Sequence, residues 1–260
     1  MNGTNDFLIM RPFNALFFTI FAALLLLLII VSLALRGKSE ELKKKIIVTV
    51  SLLTLAGFAV YKYFLSIDVD YDILMQSQGG FDWWCELPLQ LCNINMILIP
   101  IAVLLDKKEL MAFCFFVGPL GASMALMMPL AQFDGFSILL PRMLGYYGTH
   151  FFIVIEGLAL VTFGLYRPRL KDLPRIIPTV FIVAFCIFMF NMILRWTGIS
   201  PRANYFYSVE TEGNFLLEIF HSWIPVPFLY LLPCILILIA YMAVIMTGFT
   251  IADKIKEKRS

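Results

Sequence analysis

The sequence predicts an all-α membrane protein with seven transmembrane helices, and three observations support this fold class. Of the 260 residues, 61% are hydrophobic and 15% are charged, whereas a soluble domain is about half apolar and about a quarter charged. The mean hydropathy is +0.88, and roughly seven stretches reach the ~20 mostly apolar residues that a spanning helix needs. Basic residues fill every second link between these stretches. We therefore expect one integral membrane domain over residues 1–260.

Each predicted span is an apolar run bounded by polar links. The spans cover about residues 12–35, 46–66, 84–105, 109–132, 143–166, 175–198 and 220–249. The first is almost uniformly aliphatic, which favours contact with lipid. The second follows a basic link, and the third has Pro88 in its first turn, where the missing N–H is harmless. In the fourth, Gly118 and Gly121 let neighbouring helices approach closely.

The distribution of charge predicts the orientation of the helices. Fifteen of the 20 basic residues lie on one side of the predicted bundle, namely Arg36, Lys38, Lys43, Lys44, Lys45, Lys107, Lys108, Arg167, Arg169, Lys171, Arg175, Lys254, Lys256, Lys258 and Arg259. Because cytoplasmic loops carry an excess of Lys and Arg, the N-terminus is expected outside and the C-terminus in the cytoplasm. All four tryptophans lie near the opposite boundary, as in an aromatic belt. A multi-pass protein of the cell membrane is therefore predicted.

The composition argues against several classes of site. The net charge of +2 is too small to indicate a nucleic-acid partner. The five cysteines form no close CxxC pair, and no histidine lies at metal-ligand spacing from them, so zinc sites and disulfide frameworks are not expected. The sequence contains no phosphate loop, nucleophile elbow or nucleotide-binding fingerprint. We expect no metal and no cofactor, and we expect membrane lipids as the partners.

Polar and ionisable side chains gather at the outer ends of four predicted spans, at helical spacings that give each span a polar face. They are Glu86, Gln90 and Asn93 in the third span, Arg142, Tyr146 and His150 in the fifth, Asn191 and Arg195 in the sixth, and Asn214, Glu218 and His221 in the seventh. Because charge is costly within a bilayer, such residues tend to face a cavity. Four polar faces at similar depth predict a shared, outward-facing polar pocket. The alternative is that each residue only caps a helix or extends to the interface.

Other polar residues fall outside this pattern. Asn95 lies off the polar face of the third span, and Lys62 and Asp82 lie at span edges, where contact with the interface is expected. Glu156 lies deeper, six residues beyond His150. We expect it either to pair across the bundle or to be protonated in an apolar setting.

Two histidines and one cysteine are the candidate catalytic residues. His150 and His221 are the only histidines in the chain, and imidazole transfers protons near neutral pH. Cys92 would be an activated nucleophile if its thiol faced the pocket near a histidine. In a continuous helix, however, Cys92 lies about 200° around the axis from Gln90, so helical periodicity favours a packing role for the thiol.

Four short motifs resemble those of the YwaF-like bacterial integral membrane proteins. They are Leu87-Pro88-Leu89-Gln90-Leu91-Cys92, Gly118-Pro119-Leu120-Gly121, Tyr147-Gly148-Thr149-His150-Phe151-Phe152, and Asn204-Tyr205 before a Pro-rich last span. The resemblance covers most of the chain in order and implies the same multi-pass fold.

The same superfamily is similar to eukaryotic multi-pass acyltransferases that remodel ether phospholipids through a cysteine acyl-enzyme. Those proteins carry a Pro-Cys-His order where this chain has Pro88, Leu89 and Gln90, and the YwaF-like pattern usually has His at the position of Gln90. Leu89 cannot act as a nucleophile. If acyl chemistry is retained, the resemblance implies Cys92 as the replacement nucleophile and His150 as its base.

Three functions are open at this stage. The first is a lipid-modifying enzyme that performs acyl transfer or hydrolysis at the outer leaflet, with His150 or His221 as general base. Its substrate would be held by residues drawn from Glu86, Gln90, Asn93, Arg142, Tyr146, Asn191, Arg195, Asn204, Tyr205 and Glu218. The second is a carrier or binding protein for a small polar solute, although the chain lacks the two matching halves common in secondary transporters. The third is a non-catalytic accessory membrane subunit.

Overall fold

The computed structural model describes residues 6–76 and 79–258, and most of this part of the chain is helical. Its helices are α1 (Ala15–Ala34), α2 (Glu40–Ser66), α3 (Val69–Met75), α4 (Asn95–Leu104), α5 (Lys108–Met127), α6 (Pro141–Thr162), α7 (Leu173–Trp196), α8 (Phe215–Trp223) and α9 (Leu232–Glu257). Six of them, α1, α2, α5, α6, α7 and α9, are long and apolar enough to cross a membrane. Arg259, which belongs to the basic C-terminal group, lies outside the described residues.

One small element is not helical. The two-residue strands β1 (Ile9–Met10) and β2 (Phe136–Ser137) pair in antiparallel register. This ribbon joins the segment before α1 to the segment before α6. The all-α prediction did not include it, because two residues are too few to give a strand pattern in the sequence.

The predicted third span is not a continuous helix. Residues 86–94 form turns, and α4 begins only at Asn95. The Asn95 side-chain amide donates to the backbone carbonyls of Leu91 (3.0 Å) and Cys92 (2.9 Å), and such side-chain bonds compete with helix formation. The predicted helical face through Glu86, Gln90 and Asn93 is therefore wrong. At about 1.5 Å per residue, the ten residues of α4 cover about half of the bilayer core.

The predicted seventh span is also interrupted. Helix α8 ends at Trp223, and α9 begins at Leu232. Pro225 and Pro227 lie between them, and proline disfavours the helical conformation in the residue before it. Phe228 has a φ of 65°, a left-handed conformation that is uncommon for a bulky residue. His221 and Glu218 thus belong to α8, separate from the long helix α9.

The other boundaries shift by a few residues for local reasons. Helix α2 begins at Glu40, earlier than predicted, because the Ser39 side chain caps it by accepting from the Leu42 backbone N–H (3.3 Å). Helix α5 ends at Met127, two residues before Pro129, which cannot supply the next backbone N–H.

Helix α6 is the centre of the bundle, since it packs against α1, α2, α4 and α5. Two glycines allow this close packing. A Cβ added at Gly145 would overlap the ring of Tyr61 on α2, and a Cβ added at Gly157 would lie 2.5 Å from Pro119 on α5. Helix α7 packs against α5 and α9.

Glu156 pairs across the bundle, which was one of the two arrangements predicted for it. It is 1% exposed, and its carboxyl oxygens lie 2.8 Å from the Ser51 hydroxyl and 2.5 Å from the Thr54 hydroxyl, both on α2. Buried polar groups of this kind are costly unless they are hydrogen-bonded. The contact therefore fixes α2 against α6 below the candidate site.

We predict that Gly145→Ala lowers the stability of the protein. The added methyl group must displace Tyr61, and overpacking of this kind costs about 1–3 kcal/mol. Gly148→Ala, one turn along the same helix, is the matched control because nothing lies within 4 Å of its added Cβ. Thermal unfolding in detergent should show a lower Tm for Gly145→Ala alone. Equal Tm values for the two variants would contradict the described packing of α6 on α2.

Candidate functional site

The thiol of Cys92 and the imidazole of His150 lie next to each other. Cys92 is in the turns before α4, His150 is in the middle of α6, and Cys92 Sγ is 3.5 Å from His150 Nε2. Both side chains are buried, with 8% and 7% of their surfaces exposed. Helical periodicity favoured packing for Cys92, but that expectation assumed a helix where the structure has turns.

The second ring nitrogen of His150 fixes the tautomer. His150 Nδ1 is 2.7 Å from the backbone carbonyl oxygen of Tyr146. A carbonyl only accepts hydrogen bonds, so in the neutral ring Nδ1 carries the proton and Nε2 presents a lone pair. The Cys92 thiol can then donate to Nε2. This order of thiol, imidazole and orienting group is typical of an activated nucleophile.

Tyr146 and Asn93 border this pair. The Tyr146 hydroxyl donates to the Ala125 carbonyl (2.7 Å), and its ring stacks on Phe133 with the centroids 4.3 Å apart. The same ring lies 4.5 Å from that of His150. Asn93 Oδ1 is 3.6 Å from Cys92 Sγ and is the second acceptor that the thiol can reach. Both were predicted site residues, and both contact the Cys92–His150 pair.

Asn95 sets the path of the chain at Cys92, although helical periodicity placed it off the polar face of the predicted third span. Its bonds to the Leu91 and Cys92 carbonyls hold the turn that carries the thiol. It is fully buried, and Gly118 makes room for it, since an added Cβ there would lie 3.0 Å from the Asn95 side chain. The available signal was the Asn93 and Asn95 pair in an otherwise apolar span, because asparagine favours turns.

A buried ion pair holds the start of the same segment. The Lys62 ammonium on α2 pairs with the Glu86 carboxylate and lies 4.7 Å from the centroid of the Tyr61 ring. The Tyr71 hydroxyl is 3.4 Å from the other Glu86 oxygen. Burial, and to a smaller extent the negative charge of Glu86, raises the pKa of Tyr71. Sequence position placed Lys62 at the interface, but the structure places it inside the protein.

The loop after α7 is fastened to α7 and to the turns around Cys92. The Asn191 amide donates to the Tyr205 carbonyl (2.9 Å) and accepts from the Tyr205 N–H (3.0 Å). The Tyr205 hydroxyl accepts from the Leu87 N–H (3.0 Å), and Gln90 Oε1 accepts from the Phe206 N–H (3.1 Å). Three residues predicted to bind substrate therefore form hydrogen bonds to other groups of the protein. They are Gln90, Asn191 and Tyr205.

Arg195 and Asn204 fasten the following residues of the loop. Arg195 donates to the Ala203 carbonyl (2.8 Å) and pairs with Glu210 (2.7 Å). Asn204 donates to Glu212 Oε1 (2.6 Å). Burial raises the pKa of the Glu212 carboxyl, although the bond from Asn204 acts to lower it. The predicted substrate-binding role of Arg195 would require this guanidinium to give up one of these contacts.

Arg142 is also neutralised by a protein partner. Its guanidinium lies 3.2 Å from both carboxylate oxygens of Asp68 and 4.6 Å from the centre of the Phe136 ring. Only 4% of the residue is exposed. It therefore joins the start of α6 to Asp68, which caps α3.

The family model of the TMEM164 family matches residues 9–246. The chain belongs to the TMEM164 family. It is therefore a multi-pass membrane protein, in agreement with the six apolar helices of the described residues. No curated protein and no solved structure matches this TMEM164-family chain.

In this TMEM164-family chain, His221 and Glu218 lie apart from the Cys92–His150 pair. Both belong to α8, where the His221 ring packs edge-on against Tyr230 at 5.4 Å. Glu218 is exposed and accepts from the Thr211 hydroxyl. Asn214 caps α8 through the Leu217 backbone N–H (3.2 Å). Only Glu218 and His221 lie within α8, since Asn214 precedes it in extended conformation. Helix α8 places them in surroundings different from those of His150.

A metal centre has no support in the part of the chain that the structure describes. Within it, no group of three or more His, Cys, Asp or Glu side chains could hold a metal ion.

We predict that Asn191→Ala loosens the loop after α7. The substitution leaves the buried Tyr205 N–H without its partner, whereas the Tyr205 carbonyl keeps its bonds from Ser208. An unpaired buried donor costs about 1–3 kcal/mol. Limited proteolysis of the purified protein should cut the loop faster, with a lower Tm. The control is Thr197→Ala, which removes only side-chain bonds to the Ile193 and Leu194 carbonyls of the same helix. Equal cleavage rates in the two variants would contradict the role of Asn191.

Proposed function

We propose that this protein is a membrane-embedded enzyme that transfers or hydrolyses an acyl group of a membrane lipid through Cys92, with His150 as general base. The observation that carries the proposal is the 3.5 Å approach of Cys92 Sγ to His150 Nε2, together with the 2.7 Å bond that orients the ring. The resemblance to multi-pass acyltransferases implies acyl chemistry only with a changed nucleophile, because Leu89 and Gln90 stand at the Cys and His positions of those proteins. The assignment of Cys92 and His150 therefore rests on their geometry.

In the acylation step, His150 Nε2 takes the thiol proton and the Cys92 sulfur attacks the carbonyl carbon of a lipid ester. A carbon–sulfur bond forms, and the carbon–oxygen bond to the glycerol backbone breaks. The imidazolium returns its proton to the departing alkoxide, which leaves as a lysolipid hydroxyl. The product on the enzyme is a thioester at Cys92.

In the second step, His150 takes a proton from an acceptor hydroxyl, whose oxygen attacks the thioester carbonyl. The carbon–sulfur bond breaks, and the imidazolium returns a proton to the sulfur. A lysolipid acceptor gives acyl transfer, and water gives hydrolysis. The burial of both residues favours transfer, because a site that excludes water protects a reactive intermediate from hydrolysis.

The remaining residues would position this pair. Asn95 holds the carbonyl of Cys92, and the Lys62–Glu86 ion pair holds the start of the same segment against α2. Asn93 and Tyr146 border the reacting atoms and would contact the acyl ester. The distribution of basic residues supports placement of this site toward the outer leaflet of the cell membrane.

We predict that Cys92 forms a thioester that can be trapped. The purified protein is incubated in nanodiscs with a phospholipid that carries a labelled acyl chain, and the bound label is measured after denaturing electrophoresis with and without neutral hydroxylamine. Wild type should carry a hydroxylamine-sensitive label. Cys92→Ala should carry none, and His150→Gln should acquire label about a hundredfold more slowly, since general base catalysis contributes at least that factor.

Two variants are the controls for this experiment. Cys186→Ala removes an exposed cysteine on α7, and His221→Ala removes the other histidine. Both should be labelled as wild type is. If Cys92→Ala still carries label, the proposed mechanism is excluded. It is also excluded if His221→Ala loses the label while His150→Gln keeps it.

A second candidate is a non-catalytic accessory subunit. The observation that favours it is the extent to which Gln90, Asn191, Tyr205 and Arg195 bond to other groups of the protein. Lipid mass spectrometry of membranes that contain wild type, Cys92→Ala or His150→Ala separates the two functions. An enzyme requires a change in at least one lipid species in both variants, whereas an accessory subunit predicts no change.

A further inference from the structure

A cavity lies at the basic end of the bundle, away from Cys92 and His150. It has a volume of about 380 Å³ and lies where α1 and α6 end and α2 begins. Its lining includes the cationic side chains of Arg36 and Lys43, the hydroxyl-bearing Ser32 and Thr162, and apolar side chains that include Leu33. Ligand sites typically have volumes of about 300–1,000 Å³. The cavity is therefore large enough for a small headgroup.

The two cations of this cavity are uncompensated. Within the described residues, neither Arg36 nor Lys43 has an ion-pair partner. The neighbouring Lys44, in contrast, pairs with Glu40 at 2.7 Å and with Asp106 at 3.5 Å. Two positive charges thus face the same cavity without a negative group to offset them.

The dipoles of the neighbouring helices do not make the electrostatic potential in this cavity negative. The carboxyl ends of α1 and α6 carry partial negative charge, but backbone N–H groups cap them. The Arg36 N–H donates to the Leu33 carbonyl (3.1 Å), and the Gly164 N–H donates to the Val161 carbonyl (3.0 Å). The full charges of the two side chains therefore decide that the cavity attracts anions.

The cavity also borders the surface that we expect to face lipid. Leu33, which lines it, is 61% exposed, and it belongs to α1, one of the helices apolar enough to cross a membrane. A ligand with a phosphate at Arg36 and Lys43 could therefore extend acyl chains along α1. Basic pockets between transmembrane helices are known sites for anionic lipid headgroups.

We propose that this cavity binds a phosphate group, carried either by the headgroup of an anionic membrane lipid or by a free phosphate ion. The site is independent of Cys92 and His150, which approach each other through other elements. Its occupancy would hold the end of α1 against α2 and α6.

The test measures Tm of the purified protein in uncharged detergent against increasing concentrations of three probes. The probes are phosphatidylglycerol, phosphatidylcholine and inorganic phosphate, and a ligand that binds the folded state raises Tm. Wild type is compared with the double variant Arg36→Gln/Lys43→Gln. The matched control is Lys45→Gln/Lys107→Gln, which removes two basic residues that do not line the cavity. Lys43→Gln alone and the charge-preserving pair Arg36→Lys/Lys43→Arg are measured if the double variant does not fold.

For wild type and the matched control, phosphatidylglycerol should raise Tm, and phosphatidylcholine should not do so in the same range. For the same rise in Tm, the double variant should need a concentration of phosphatidylglycerol that is at least about tenfold higher. A similar response to inorganic phosphate, also lost in the double variant, would assign the site to free phosphate. The proposal is overturned if neither anion raises the Tm of wild type, or if the double variant and the matched control respond alike. The charge-preserving pair should behave as wild type does.

Discussion

Inside a bilayer, every backbone N–H and carbonyl group must find its hydrogen-bond partner within the protein. The rest of this structure depends on how the backbone of residues 86–94 meets that constraint. The segment lies within the predicted third span but is not helical. Its backbone is supported by the Asn95 side chain, by Tyr205 and by short turns. Non-helical backbone is tolerated at membrane depth only where protein covers it, and α2, α5 and α6 pack around its continuation, α4.

This arrangement also explains where the candidate chemistry lies. A regular helix presents side chains at fixed angles, and Cys92 would then be directed away from the face that carries Gln90. The turns release Cys92 from that periodicity and bring its sulfur to His150 on α6. The loop after α7 closes the same region, and its strained residue Phe206, with a φ of 61°, is held by Gln90. Strained backbone of this kind often marks functional sites.

The sequence predicted the membrane class and most of the long helices, because apolar length and charged links are strong, local signals. The failures came from backbone effects of individual residues. The side-chain amide of Asn95 replaces helical bonds, and Pro225 and Pro227 separate α8 from α9. Neither effect changes hydropathy, so the apolar stretches continued through both breaks. The location of His150 near a polar segment was predictable, but its contact with Cys92 depends on tertiary packing that periodicity does not encode.

The position of Cys92 beside His150 depends on the turns at 86–94. An electron cryo-microscopy map of the purified protein in nanodiscs, at a resolution that resolves side chains, tests it most directly through the separation of Cys92 Sγ and His150 Nε2. These atoms should lie within hydrogen-bonding distance, and regular helix should begin only near Asn95. A continuous helix through the predicted third span, with the Cys92 thiol directed away from α6, would contradict it.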